Sequence, residues 1–445
     1  MFSERRHKPS KIRSRQPAPK GVIQRAVGFE LEVGNWHTYE HIGDRRFFWP
    51  WEHPKLPHED FILFDRKSKL MEGDGFSVEA DDQRPRLPVS DIEIITEPFE
   101  ESEQGFRRLR EVSANVGAFY EECKSKTSRL EYDRLVKLDK IKTARSLSPK
   151  YFFHSVGPPE IKAQGTMGLK VEALEQLMLD LGENPAGREP QEVSKRKHEG
   201  REWLFPSQAP ENARNILTAM SPGMTRQACF RYGREEWAPD GKEWQASPEM
   251  LGFLSLVINY IEMTRAPLAS YARAAFFLLA RTDFATMFGM LPPMERKHFS
   301  SDNGDHFIEL MEKVPWIEFT RFASPLFENG IYHDFPERNP DALKALSREQ
   351  WLRGISQGVD HFTVERFPDQ RNAWRLESLG AMGKKTDTDG DGTPKPIFEL
   401  RSVKSQSDFR ETETFMRRFF LYVCAMNRKA DLKYGEIEKW DDLKV

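Results

Sequence analysis

Gly28-Phe29-Glu30-Leu31-Glu32-Val33 alternates apolar and acidic residues, and two more acidic strand-like runs follow it, residues 76–82 and Asp91-Ile92-Glu93-Ile94-Ile95-Thr96-Glu97-Pro98. Side chains two apart on a strand share a face. Glu30 and Glu32 therefore lie on one side, and Phe29, Leu31 and Val33 on the other. Like charges side by side repel, and a hard divalent cation such as Mg2+ or Mn2+ relieves the repulsion through carboxylate oxygens. Taken alone, the pair is more readily the wet face of an amphipathic strand. Glu93 in the third run and Asp81-Asp82 at the end of the second favour a shared cation, because three acidic strands of one antiparallel sheet can converge on one face.

Gly-Phe-Glu-x-Glu, a strand ending in Asp, and an acid ahead of Thr-x-Pro together resemble the amidoligase branch of the glutamine synthetase and glutamate-cysteine ligase superfamily. The resemblance implies Glu30, Glu32, Asp81 and Glu93 as metal ligands. The usual Asp-Gly-Ser is Asp81-Asp82-Gln83 here, and Asp74-Gly75 lies just upstream, so Asp74, Asp81 and Asp82 all remain open for that role. Ala163-Gln164-Gly165-Thr166-Met167-Gly168 is similar to the family's Gln-x-Thr-x-Gly strand, and Ile397-Phe398-Glu399-Leu400-Arg401 to its closing Glu-x-Arg strand. Gln164, Thr166 and Arg401 are the implied nucleotide-binding residues. Arg401 is the implied phosphate clamp, its planar guanidinium suited to phosphate oxygens. Glu399 is either a further ligand or the ion-pair partner of Arg401.

The implied fold is α+β, an antiparallel sheet of the glutamine synthetase catalytic type with large helical insertions. The expected layout is a basic arm over 1–25, a catalytic domain over 26–435 with a helical insertion at about 184–300, and a tail over 436–445. The implied reaction joins a carboxylate to an amine. ATP phosphorylates the carboxylate, because hydroxide is a poor leaving group, and the amine displaces phosphate from the acyl phosphate. Metal ions and arginines would carry the developing charge. The cofactors are then ATP and Mg2+ or Mn2+. The partners are an amine and a carboxylate on a small molecule, peptide or protein side chain.

Composition suits such an enzyme. The 445 residues are 38% hydrophobic and 31% charged, enough to bury a large core while staying polar outside. No apolar run approaches the roughly 18 residues that span a bilayer, and no signal-peptide core opens the chain, which disfavours a membrane role and points to the cytoplasm. Cys123, Cys229 and Cys424 are too scattered for a zinc ribbon or a disulfide framework. No Gly-x-x-x-x-Gly-Lys-Ser/Thr loop is present, so nucleotide binding would fall to the sheet.

Charge is uneven. The first 25 residues hold eight Lys or Arg against Glu4, a net of +7, and the total of −3 leaves −10 on the rest. This Pro-containing segment reads as a disordered basic arm. No groove-reading motif follows it, which disfavours nucleic acid. Pro19-Lys20-Gly21-Val22-Ile23-Gln24-Arg25 is similar to leader-to-toxin junctions in bacterial contractile-injection or polymorphic-toxin cargo. That makes the arm a candidate loading segment for secretion or injection machinery, delivering the body to a target cell.

Helical periodicity predicts a helix over 103–123, an amphipathic one over 171–181, two apolar helices over 248–279 broken near Pro267, and a last one over 408–427. Residues 184–215 read as a long surface excursion. Asp387-Thr388-Asp389-Gly390-Asp391-Gly392 opens like a calcium loop, but the twelfth position is Phe398, so an acidic hairpin connection between strands over 374–379 and 397–403 is the better reading. Two rivals to the ligase remain: a metal-dependent hydrolase or nuclease, toxin or effector, acting without ATP through the same acids, and an inactive ligase-like binding protein.

Overall fold

The computed structural model describes residues 26–41, 61–62, 67–83, 90–124, 129–131, 141–143, 151–183, 246–265, 278–312, 347–359, 383–389, 392–401, 406–428 and 439–444. The basic arm, the 184–215 excursion and Cys229 fall outside them, as do the side chains of Asp82 and Arg401.

The fold is α+β, and its frame is one antiparallel sheet. Its strands are β1 (Ala26–His41), β2 (Phe61–Ile62), β3 (Lys69–Gly73), β4 (Phe76–Gln83), β5 (Ser90–Thr96), β6 (Phe99–Glu100), β7 (Arg129–Glu131), β8 (Ile141–Thr143), β9 (Tyr151–Gly168), β10 (Leu278–Ala280) and, after a separate hairpin, Ile397–Arg401. That hairpin pairs β11 (Asp387–Thr388) with β12 (Pro394–Lys395), so Ile397–Arg401 is β13. The main order is β10-β13-β9-β1-β5-β4-β3-β8, with β2 and β6 added to β1 and β7 to β9. The helices are α1 (Glu103–Lys124), α2 (Leu174–Glu183), α3 (Pro248–Arg265), α4 (Phe284–Phe288), α5 (Pro293–Ser300), α6 (Asp305–Glu312), α7 (Arg348–Ser356) and α8 (Phe409–Asn427).

Alternation divides the sheet into a dry face and a charged face. Phe29, Leu31, Val33, Val78, Ile92, Ile94, Ala163, Met167, Phe398 and Leu400 are all buried. Phe29 shows what covers the dry face: its ring lies 5.7 Å from Phe419 and 6.4 Å from Phe415, both on α8. Burying such a ring contributes roughly 2–3 kcal/mol. The aromatic cluster continues onto α1, whose Phe119 meets Trp36 and Phe76. α8 approaches β9 closely because residue 165 is glycine; a Cβ there would stand 2.4 Å from the Phe419 ring. The helix pair α1 and α8 thus backs the centre of the sheet, leaving the opposite face for chemistry.

The 103–123 and 408–427 helices appear as α1 and α8, the latter capped by the Asp408 side chain. The 171–181 helix begins as a 3-10 turn, Val171–Ala173, before α2. The second apolar helix expected up to residue 279 needs correction: Leu278 and Leu279 belong to strand β10, beside β13. All three β10 residues are buried, so the run shows no alternation, and a short apolar run without periodicity does not separate helix from strand. The acidic segment forms its own short hairpin, with Asp387 opposite Lys395, while Ile397–Arg401 pairs with β9 and β10; the strand expected over 374–379 lies outside the described residues.

Candidate metal and phosphate site

Strand register builds the site. β1 pairs with β5 so that Glu32 stands opposite Glu93, and β5 pairs with β4 so that Glu93 stands opposite Glu79. On the other side of β1, Glu30 meets Gln164 and Glu32 meets Lys162 of β9. Directly paired residues share a face, so a row of Lys162, Glu32, Glu93 and Glu79 crosses the charged side of the sheet. One row along lie Gln164 and Glu30.

Asp81 joins this row through an irregularity. The β4–β5 register shifts between Ala80 and Gln83. Such a bulge re-aims side chains at a strand end. One carboxylate oxygen from each of Glu32, Asp81 and Glu93 lies within 4.8 Å of the others. β1 is irregular just past the same point, where Asn35 takes a φ of 66° and pairing to both neighbours shifts. The trio therefore sits where three paired strands leave regular geometry.

Oxygens around a six-coordinate Mg2+ or Mn2+ stand about 3–4 Å apart, from metal–oxygen distances near 2.1 Å. The trio matches that span to within a side-chain adjustment, and its all-oxygen donor set is the hard kind. It fits a divalent cation. Glu30 is outside the grouped trio but close enough to matter electrostatically. Burial, and after it the Glu30 charge, push the Glu93 carboxyl up to about 8 against the pull of Lys67. Glu93 is only 2% exposed.

Lys67 occupies the mouth of the trio. Its ammonium donates a hydrogen bond to Glu93 Oε2 and lies 3.5 Å from Asp81 Oδ1. Partial burial works against its charge, but Glu93, Asp81 and Glu30 outweigh burial and hold its pKa above the ordinary lysine value. Its backbone is fixed too: the Lys67 N–H donates to the Ala80 carbonyl at 2.7 Å, and Lys67 adopts a φ of 62°. Gln164 completes the ring by donating its side-chain amide to Glu32 Oε1.

No protein-family model matches the sequence, and no curated protein matches it. Among solved structures, the chain is similar to a mutant of a Vibrio cholerae VgrG toxin ACD domain in complex with ADP and Mn2+, at 9% identity over 87% of this chain and 96% of that one, with a TM-score of 0.39. It is similar also to a Vibrio cholerae toxin from the MARTX/VgrG family, at 10% identity over 86% of this chain and 93% of that one, with a TM-score of 0.37.

Of the aspartates left open, Asp81 is brought to the trio and Asp74 is not, while the Asp82 side chain lies outside the described residues. Asp74 sits in the β3–β4 turn, held by Arg108 at 2.7 Å and by Asn115. Arg108 also bonds Glu97 at 2.6 Å, and these two acids hold its pKa above the usual value. Asp74 thus belongs to a surface ion network at the far end of β4.

Glu399 is buried opposite Thr166, and Arg281 Nη1 lies 3.5 Å from it. Arg401 stands opposite Gln164, and Gln164 opposite Glu30. Two strand spacings put the Arg401 backbone about 10 Å from that of Glu30. Thr166 pairs on its other side with Gly28. The closing strand therefore flanks the acidic row two strands away. The sequence reading missed Lys67 and Arg281. Neither carries a local signal: Lys67 reaches the trio through the β3–β4 hairpin, and Arg281 reaches Glu399 through β10.

Proposed function

We propose that this chain is an ATP-dependent carboxylate-amine ligase that forms an amide or isopeptide bond through an acyl phosphate. The observation carrying the reading is the convergence of Glu32, Asp81 and Glu93 on the charged face of an antiparallel sheet, with Glu30 and Gln164 on the neighbouring row. When bound, Mg2+ or Mn2+ supplies charge neutralisation for the nucleotide phosphates. Glu32, Asp81 and Glu93 are the residues that would hold it. Gln164 orients Glu32 by donating its side-chain amide to one carboxylate oxygen. The Lys67 ammonium, once off Glu93, is free to meet a phosphate oxygen. Arg401, placed opposite Gln164, is assigned to the transferred phosphoryl group.

Hydroxylamine tests this reading, because it replaces almost any amine and traps acyl phosphates as hydroxamates. The protein is incubated with Mg-ATP, hydroxylamine and a desalted protein and peptide pool as the carboxylate source. ADP and hydroxamate should appear together with the wild type and vanish with Glu93→Gln. ADP release without hydroxamate, or breakdown of the pool without ATP, would remove the ligase in favour of a hydrolase.

A further inference from the structure

Among the described residues, a buried ionic cluster outside the site lies beside the dry face, where β9 ends. Lys395 of β12 is completely buried, Asn427 ends α8 at 5% exposure, and Glu101 lies between β6 and α1 at 9%. Lys395 Nζ donates to Glu101 Oε1 at 2.7 Å. Asn427 Nδ2 donates to the same Oε1 at 3.1 Å and to Oε2 at 3.0 Å. One carboxyl group therefore holds an amine and a carboxamide nitrogen together, no farther apart than those two bonds allow. The Lys170 backbone N–H donates to Asn427 Oδ1 at 3.2 Å, while Asn427 Nδ2 also donates to the Gly168 carbonyl at 2.9 Å. Asp387 lies 3.4 Å from Lys395 Nζ.

Burying ions costs several kcal/mol each unless geometry offsets it, and an apolar pair would serve packing as well. The arrangement here is also that of an acyl transfer poised for one turnover: a nucleophile, a carbonyl carbon, a proton carrier and a donor on the carbonyl oxygen. We propose that Lys395 and Asn427 become joined by an intramolecular isopeptide bond, with Glu101 as the proton carrier.

The chemistry balances without any co-reactant. The Lys395 ammonium passes a proton to the Glu101 carboxylate, and the free amine attacks Asn427 Cγ. Charge then gathers on Asn427 Oδ1, against the Lys170 N–H. The Glu101 carboxylic acid protonates the departing Nδ2, the C–N bond to it breaks, and the new amide nitrogen returns a proton to Glu101. The Cγ–Nζ bond forms, the Cγ–Nδ2 bond is lost, ammonia leaves, and nothing is oxidised or reduced. Burial, the largest influence on Glu101, raises its pKa despite the opposing pull of Lys395 and Asn427, which suits it to accept the proton. Asp387 holds the lysine head from the opposite strand of its hairpin. Fixed juxtaposition substitutes for an external catalyst, since oriented neighbours react as if at very high concentration. The product would tie the acidic hairpin to the end of α8.

Intact-mass spectrometry of the denatured full-length protein decides the matter. The expected mass is about 17 Da below that of the sequence, the ammonia lost. Tandem spectra of a tryptic digest should show the peptide containing Lys395 branched onto the one containing Asn427. Glu101→Gln and Lys395→Arg should return to the full mass expected for their sequences. A wild-type protein at full sequence mass overturns the proposal and leaves a buried ion pair. A deficit found in a linear peptide, such as a succinimide at Asn427, overturns it too. The wild-type measurement stands even if a variant fails to fold.

Discussion

Replacing Lys67 by methionine should tighten divalent-cation binding in the absence of nucleotide. Its ammonium sits against Glu93 and 3.5 Å from Asp81, in the space a cation bound by the trio needs. At 3.5 Å, one unit-charge pair is worth about 4–5 kcal/mol with an effective dielectric near 20. The Lys67 side chain is 44% exposed, however, so solvent and salt screen the attraction. Exposed and half-exposed pairs retain about 1 kcal/mol. An incoming ion must displace that contact, and removing it should improve affinity about fivefold. Methionine keeps a long unbranched stem and meets the same φ of 62°, so the backbone cost is common to both proteins. Mn2+ titration followed by electron paramagnetic resonance of the free ion reads the affinity directly. Equal or weaker binding by Lys67→Met would show that the ammonium does not stand in the ion's place.

The pKa of Glu93, raised to about 8, gives a pH dependence with a definite sign. A carboxyl raised on folding adds stability that is full below its unfolded pKa of about 4.5 and is lost as pH rises toward 8. Metal binding runs the other way. The ion must expel that proton, so Mn2+ affinity should climb from pH 6 to 8 and then level off. Calorimetry in buffers of differing ionisation enthalpy should show proton release at pH 7; a flat affinity profile would contradict the assignment. Asp74→Asn should leave Mn2+ binding unchanged and cost at most about 1 kcal/mol in urea unfolding, because the Arg108 network is largely exposed. Gly165→Ala should cost about 1–3 kcal/mol, since its Cβ meets the Phe419 ring at 2.4 Å and overpacking in a tight core is destabilising. An unchanged urea midpoint would mean α8 shifts freely away from β9.

Much of the sheet was legible because its signal is local. Period-two alternation at 28–33, 76–80 and 397–401 names strand, face and buried partner at once, and the register then carries Glu32 to Glu93. α1 and α8 were equally clear from their apolar stripes, all of whose members are buried. Sequence failed where local pattern and tertiary role separate. Leu278-Leu279-Ala280 is buried all round, so nothing in it distinguishes β10 from a helix. Asp74 and Asp81 looked interchangeable from sequence; the bulge after Ala80 brings Asp81 to the trio, while Arg108 holds Asp74 elsewhere. Lys67 could not be found at all from sequence, because its partner Glu93 is 26 residues away and is reached through a hairpin.

Calorimetric titration of ATP into the purified full chain, with and without Mg2+ and in parallel on Glu32→Gln, tests the central claim most directly. The account predicts binding that requires Mg2+ and disappears in the variant, with circular dichroism unchanged because Glu32 lies on the charged face. Binding that ignores Mg2+, or that survives in Glu32→Gln, would contradict it.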